Sequence, residues 1–263
     1  NMTEDEFQQM VVTGQLYYVE RAEALQRGML AAGNNDTQPH LVMGSGVIRY
    51  AERPYIYSGV THLRPNGQFE DWYGKTHLVM FGEYVPLANY IPPLKARLPP
   101  GMGIDEGPGA KQFLMNDIAV APNICIETAV ERVTVNQLAD LRERKKSPDV
   151  IVTVTNDGWF DDSSVLEHHL RCGQLVAVGT RRPLLSAANN GPTAWIDSCG
   201  RVVERLPCGT HGSILAKPQR DDRTSVYLLI GDWPARLLAI ACLFVLFQPL
   251  VSRAIKKVKN LAN

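Results

Sequence analysis

The segment 149–155 reads DVIVTVT, an almost continuous run of β-branched residues that shows no helical spacing. Such a run is typical of a central strand that is buried on both faces by covering layers. Helical spacing of apolar residues appears before and after it, and predicts helices over 6–32, 127–144 and 165–180. This alternation of strands and helices predicts an α/β layered sandwich.

Shorter apolar runs, several of them next to turn residues, supply the remaining predicted strands. These strands are predicted over 41–47, 55–63, 77–81, 113–119, 118–124, 183–188, 193–197, 202–206 and 213–216.

The charge balance excludes two broad classes of protein. The 263 residues include 27 Lys or Arg and 27 Asp or Glu, so the chain has none of the basic excess of a nucleic-acid binder. With 45% hydrophobic residues, the composition also argues against disorder. The five cysteines are too few and scattered for a disulfide scaffold or a structural zinc site, so we expect no metal and no cofactor.

The C-terminal region is strongly apolar. Residues 233–252 carry one charge, Arg236, and predict a transmembrane helix, while the basic tail 253–263 is expected on the cytoplasmic side. Residues 1–230 would then form one domain on the opposite side of the membrane. The alternative is a buried core helix, because Gln248 and Pro249 interrupt the apolar run.

Cys125 has the most site-like position of the five cysteines. It lies in the sequence NICIET, where an apolar strand ends and an amphipathic helix begins. The helix dipole favours a thiolate there, and free backbone amides can stabilise an oxyanion. The alternative is a small buried hydrophobic residue. Cys199 and Cys208 flank a predicted strand and could pair in an oxidising compartment.

Two further segments contain polar residues that could accompany such a thiol. In YGKTHLVMFGEYVP, Lys75 could stabilise an oxyanion, and Glu83 follows the predicted strand 77–81; the alternative is that both are surface charges. In TNDGWF, Asn156 and Trp159 follow the central strand, at the edge where α/β sheets place ligands. The same letters also make an ordinary turn.

Taken together, these segments resemble the carbon–nitrogen hydrolase (nitrilase) superfamily and, within it, the apolipoprotein N-acyltransferases. YGKTHLVMFGEYVPL is similar to the lysine segment of that family, and ICIET is similar to its nucleophile segment. TNDGWF, the pair His168-His169 and RRPLLSAANNGPTAWID resemble the run that follows the nucleophile. The resemblance covers roughly residues 40–250 and implies a nitrilase-like α-β-β-α sandwich.

The resemblance also implies a reaction and its residues. Cys125 would be the nucleophile of a Glu-Lys-Cys triad, Lys75 would stabilise the oxyanion, and Glu83 and Glu127 would orient the site. The acyl donor would be a phospholipid, the intermediate a thioester at Cys125, and the acceptor the N-terminal amine of a lipid-modified lipoprotein. The family further implies a bacterial inner-membrane location, with the catalytic domain on the periplasmic side.

The chain departs from the family pattern in three ways. It lacks a WPE-like motif with the general-base glutamate, it lacks the membrane helices before the domain, and Ile126 and Met80 replace other residue types. A fragment that begins after the glutamate explains the first two departures and predicts that this chain alone is nearly inactive. The alternatives are a non-catalytic lipid or lipoprotein binder that lost its base, or a membrane-anchored amidase that uses water as acceptor.

Overall fold

The computed structural model describes residues 4–33, 39–51, 54–65, 67–87, 90–91, 93 and 103–261. The first described element is a long helix, α1 (Glu4–Gly33).

A small antiparallel sheet follows α1. Its strands are β1 (Leu41–Tyr50), β2 (Pro54–Leu63) and β3 (Phe69–Gly74), in that spatial order. Because successive side chains of a strand point to opposite faces, this sheet has two different surfaces. Leu41 and Leu63 pack with Ala22 of α1 on one face, whereas Val60 and Tyr73 face a second, larger sheet.

The larger sheet has six strands in their sequence order. They are β4 (Phe113–Met115), β5 (Ile118–Ile124), β6 (Val150–Thr155), β7 (Leu184–Ala188), β8 (Ala194–Ile196) and β9 (Val202–Arg205). Strands β5, β6 and β7 are parallel, and the other neighbours are antiparallel. The carboxyl ends of the three parallel strands therefore lie at one edge of the sheet.

Helices connect the parallel strands and cover the outer face of this sheet. They are α2 (Ile126–Ala129), α3 (Glu131–Glu143) and α4 (Val165–Thr180), with a 3-10 turn at Asp157–Phe160. Two helices end the described chain, α5 (Val226–Ile230) and α6 (Trp233–Leu261).

Two apolar clusters hold the layers together. One lies between the sheets and contains Val60, Tyr73, Phe113, Val120, Ile124 and Val150. The other joins the large sheet to α3 and α4 and includes Leu138, Ile151, Val176 and Leu184. The order of layers is thus helix, sheet, sheet, helix, which confirms the predicted α-β-β-α sandwich.

Most predicted elements are present, and helix 165–180 has the predicted bounds. The predicted strand 77–81 is wrong, because Phe81 has a positive φ of 63° and the amide of Glu83 turns back to the carbonyl of Val79. The predicted strand 213–216 is also wrong, since the large sheet ends at β9. The predicted helix 127–144 is divided at Val130.

The C-terminal helix requires a further correction. Within the described ranges, no helix is long and apolar enough to cross a membrane, so the predicted transmembrane helix over 233–252 is not supported. The helix over this segment is present as α6.

The cysteines form no disulfide in the described part of the chain. Cys199 and Cys208, which the sequence left open as a pair, are both free thiols, as are Cys125, Cys172 and Cys242.

A close backbone crossing fixes the end of β3. The amide of Gly107 donates to the carbonyl of Lys75 (2.8 Å), and a Cβ on Gly107 would overlap with the backbone of Gly74. The segment after β3 therefore depends on a residue without a side chain at position 107.

We expect Gly107→Ala to lower the free energy of unfolding by about 1–3 kcal/mol, because the overlap is with backbone and cannot be relieved by a rotamer change. Urea unfolding measures this change in the free energy of unfolding. Gly46→Ala is the matched control, since nothing lies within 4 Å of its added Cβ. Equal stability of the two variants would contradict this crossing.

Candidate active site

Cys125 lies at a strained turn between β5 and α2. Its φ of 49° and ψ of −112° are unusual for a residue with a side chain, and such conformations cost about 1–3 kcal/mol. The conformation is fixed on both sides of the residue. Its amide donates to the carbonyl of Val154 on β6 (3.1 Å), and its carbonyl accepts from the amide of Thr128 (3.0 Å). A sharp strand-to-helix turn of this kind presents a nucleophile at the sheet edge.

The carboxylate of Glu127 joins the turn of Cys125 to the segment after β3. The side chain is fully buried. One oxygen, Oε2, accepts from the amide of Ile124 (2.8 Å). The other, Oε1, accepts from the amide (2.7 Å) and hydroxyl (2.8 Å) of Thr76 and from the amide of His77 (3.2 Å).

This arrangement brings two of the residues named by the sequence into one site. Ile124 immediately precedes Cys125, and Thr76 immediately follows Lys75. Because both neighbours bind one carboxylate, Glu127 holds the backbones of Cys125 and Lys75 at the same edge of the two sheets.

Lys75 is a buried cation with a carboxylate partner. Its side chain is 2% exposed, and its Nζ lies 2.6 Å and 2.8 Å from the two carboxylate oxygens of Glu83. Glu83 is held in turn by the amide of Val79 (2.8 Å). A charge so far from water is retained only where it is paired and hydrogen-bonded. The pair therefore fixes an ammonium group beside the Glu127 network.

Tyr73 and Gln137 belong to the same network, although the sequence analysis did not identify them. The Tyr73 hydroxyl donates to Glu127 (2.7 Å), and the Gln137 side chain donates to Tyr73 and to Thr76. Burial, together with the nearby carboxylate of Glu127, raises the pKa of Tyr73, so its hydroxyl stays a donor. The only signal in the sequence was that Tyr73 lies two residues before Lys75.

Asn156 and Trp159 lie in the turn after β6, at the carboxyl edge of the sheet as expected. The Asn156 side chain accepts from the amide of Gly158 (3.3 Å) and from the side chain of Asn189 (2.6 Å). Trp159 is 79% exposed. Both side chains thus belong to the rim of the edge rather than to the buried network.

Asp157 and His169 lie in segments that carry the family resemblance, although the sequence assigned neither of them a role in the site. His169 on α4 lies with Nδ1 3.0 Å from an Asp157 oxygen and with Nε2 3.0 Å from the carbonyl oxygen of Cys125.

Among the described residues, no group of three or more His, Cys, Asp or Glu side chains could hold a metal ion.

Two facing sheets lie between helices, and a strained cysteine and a buried lysine lie at one edge of the sheets. This arrangement defines a class of thiol-bearing α/β sandwich, and similarity to known protein families identifies which one. The family model for carbon-nitrogen hydrolase matches residues 10–227. The chain belongs to the carbon–nitrogen hydrolase family, as the sequence resemblance indicated.

Several relatives have the name apolipoprotein N-acyltransferase. The protein from Rhodopirellula baltica is 50% identical over 230 residues, which are 86% of this chain and 40% of that protein. The protein from Rickettsia prowazekii is 30% identical over 81% of this chain and 42% of its own length. The chain thus spans less than half the length of these relatives. An amidase of the nitrilase superfamily from Nesterenkonia AN1 has a TM-score of 0.47 at 14% identity, over 72% of this chain and 64% of that chain.

We expect Glu127→Gln to destabilise the fold by at least about 1–3 kcal/mol, because either orientation of the amide turns its NH₂ toward backbone amides, which only donate. Urea unfolding of this variant beside Glu143→Gln, an exposed glutamate on α3, measures the difference. If both variants unfold at the wild-type midpoint, Glu127 does not hold the two segments together.

Proposed function

We propose that this chain contains the nucleophile and the oxyanion lysine of an acyltransferase that makes an N-acylated lipoprotein. The acyl donor is a membrane phospholipid, and the acceptor is the N-terminal amine of a lipid-modified cysteine. The observation that carries the proposal is the Glu127 carboxylate, which holds the strained turn of Cys125 and the backbone beside Lys75. The similarity to relatives named apolipoprotein N-acyltransferase supports the choice of substrates.

The reaction has two steps that share one intermediate. A general base takes the proton of the Cys125 thiol, the thiolate attacks the ester carbonyl of the phospholipid, a C–S bond forms, and the C–O bond breaks as the glycerol oxygen leaves with that proton. The acceptor amine then attacks the thioester, a C–N bond forms, the amine proton passes to the same base, and the C–S bond breaks to return the thiolate. Division into two steps through a covalent intermediate lowers each barrier.

Each site residue has a role in these steps. The Lys75 ammonium stabilises the oxyanion that develops at the acyl carbonyl, and Glu83 holds that ammonium in place. Glu127 orients both segments. Asn156 and Trp159 form the rim, where the exposed indole offers an apolar surface to an acyl chain. The bacterial inner-membrane location and its periplasmic side stay predictions.

The intact mass of the protein, measured after incubation with phospholipid in detergent, tests the proposal. We expect an acyl adduct on a form that also carries the upstream residues with the general-base glutamate, and little or none on this chain alone. General-base assistance accounts for about 10²–10⁴-fold. The adduct should persist in Cys172→Ala and be absent in Cys125→Ala.

Lys75→Met should slow adduct formation by about 10²–10³-fold, the usual effect of the loss of one oxyanion donor. Free fatty acid without an acylated amine would favour the amidase alternative. Phospholipid binding without an adduct on either form would favour a non-catalytic binder and contradict the acyltransferase.

A further inference from the structure

We propose that His169 is a positioning residue for Cys125, acting as an imidazolium that is held by Asp157 and donates to the Cys125 carbonyl. The proposal rests on the proposed function only in taking Cys125 as the nucleophile. Its geometric basis is the chain of contacts from Asp157 through both ring nitrogens of His169 to the strained turn.

The two partners of the ring determine its protonation state. A backbone carbonyl only accepts hydrogen bonds, so the Nε2 that lies 3.0 Å from the Cys125 oxygen carries a proton. The Asp157 carboxylate also accepts, so Nδ1, 3.0 Å away, carries the second proton. A ring with two acceptors as partners is an imidazolium.

Asp157 is built into the sheet edge as a fixed acceptor. Its side chain is 2% exposed and accepts from the hydroxyl of Thr155 (2.8 Å), while its amide donates to Asn189 (2.9 Å). A Cβ on Gly191 would overlap with the Asp157 carboxylate, so position 191 has no space for a side chain. The Thr155 hydroxyl and the close approach of Gly191 therefore hold the carboxylate beside His169.

The Cys125 carbonyl is the point at which His169 acts on the nucleophile. This oxygen accepts from both the Thr128 amide (3.0 Å) and His169 (3.0 Å). The Thr128 bond is local to α2, whereas the His169 bond comes from α4. The second bond thus opposes relaxation of a backbone that has a φ of 49°.

The electrostatic surroundings of His169 are simple. Burial lowers its pKa, but the hydrogen bond and charge of Asp157 and the Cys125 carbonyl raise it to a net value above the ordinary 6.5. The cavity beside the pair presents Thr128, Thr153 and Ser186, which do not titrate. Cys208 also senses the Asp157 charge, and the acid on α2, Glu127, binds Tyr73 and Thr76 instead.

This pKa shift sets the direction of the pH dependence. Because the folded-state pKa is raised, the contribution of the pair is complete below the unfolded value of about 6.5. It is lost as the pH rises through the folded-state pKa. Asp157→Asn removes the charge that raises the pKa, so the loss should occur at a lower pH in that variant.

The rate of Cys125 alkylation by iodoacetamide, followed on the Cys125 peptide of the full chain between pH 6 and 9, tests the proposal. The variants are His169→Leu, His169→Gln, Asp157→Asn and, as the matched control on the exposed side of α4, His168→Gln. The peptide of Cys172 gives the internal reference.

We expect His168→Gln to react like the wild type and His169→Leu to react about tenfold or more slowly, as for loss of a charge-assisted hydrogen bond. His169→Gln, whose amide can still donate, should recover part of that rate. Asp157→Asn should match the wild type near pH 6 and fall below it as the pH rises. If the alkylation rate falls equally in His169→Leu and His169→Gln, and if that fall does not change with pH, His169 acts only through packing and the proposal is overturned.

Nitrogen-15 NMR of histidine-labelled wild-type chain gives a second test, which does not depend on whether the variants fold. We expect His169 to keep both ring nitrogens protonated as the pH rises above 6.5, the ordinary histidine pKa. A single protonated nitrogen on His169 would overturn the proposal. Neither measurement needs an acyl donor, so failure of acyl transfer and failure of this inference are distinguishable.

Discussion

The carboxylate of Glu127 accepts hydrogen bonds from the ends of both sheets, and the geometry of the candidate site depends on it. Thr76 and His77 follow the last strand of the small sheet, and Ile124 ends a strand of the large one. Apolar packing between the sheets sets their spacing, but it does not fix where the segments that follow β3 and β5 meet. A buried acceptor with several directional donors does so, because each unmade bond would leave a polar group without water.

Two buried carboxylates act on the turn of Cys125 from different sides. Glu127 holds the amide before the cysteine, and Asp157 acts through His169 on the carbonyl of the cysteine itself. The strained backbone is thereby over-determined, which is the condition under which such strain persists in a folded protein. Lys75 and Glu83 add a fixed ammonium group to this frame without sharing its hydrogen bonds.

The sequence was informative where periodicity and position decide the structure. The run before Asn156 predicted the central strand, and the change of pattern at Cys125 predicted that a strand ends and a helix begins there. It did not reveal Gln137, Asp157 or His169 as site residues, because their roles depend on contacts between segments far apart in the chain. The strand predicted over 77–81 is wrong for a related reason, since the Glu83 carboxylate holds the Val79 amide in a turn.

The most direct test of the central claim is residue-resolved hydrogen exchange of the Thr76 and Ile124 amides. Both donate to Glu127, at 2.7 Å and 2.8 Å. If one carboxylate holds both segments, the two amides should be protected to a similar degree and should open in one cooperative event. Rapid exchange at Thr76 beside a protected Ile124 would contradict the account.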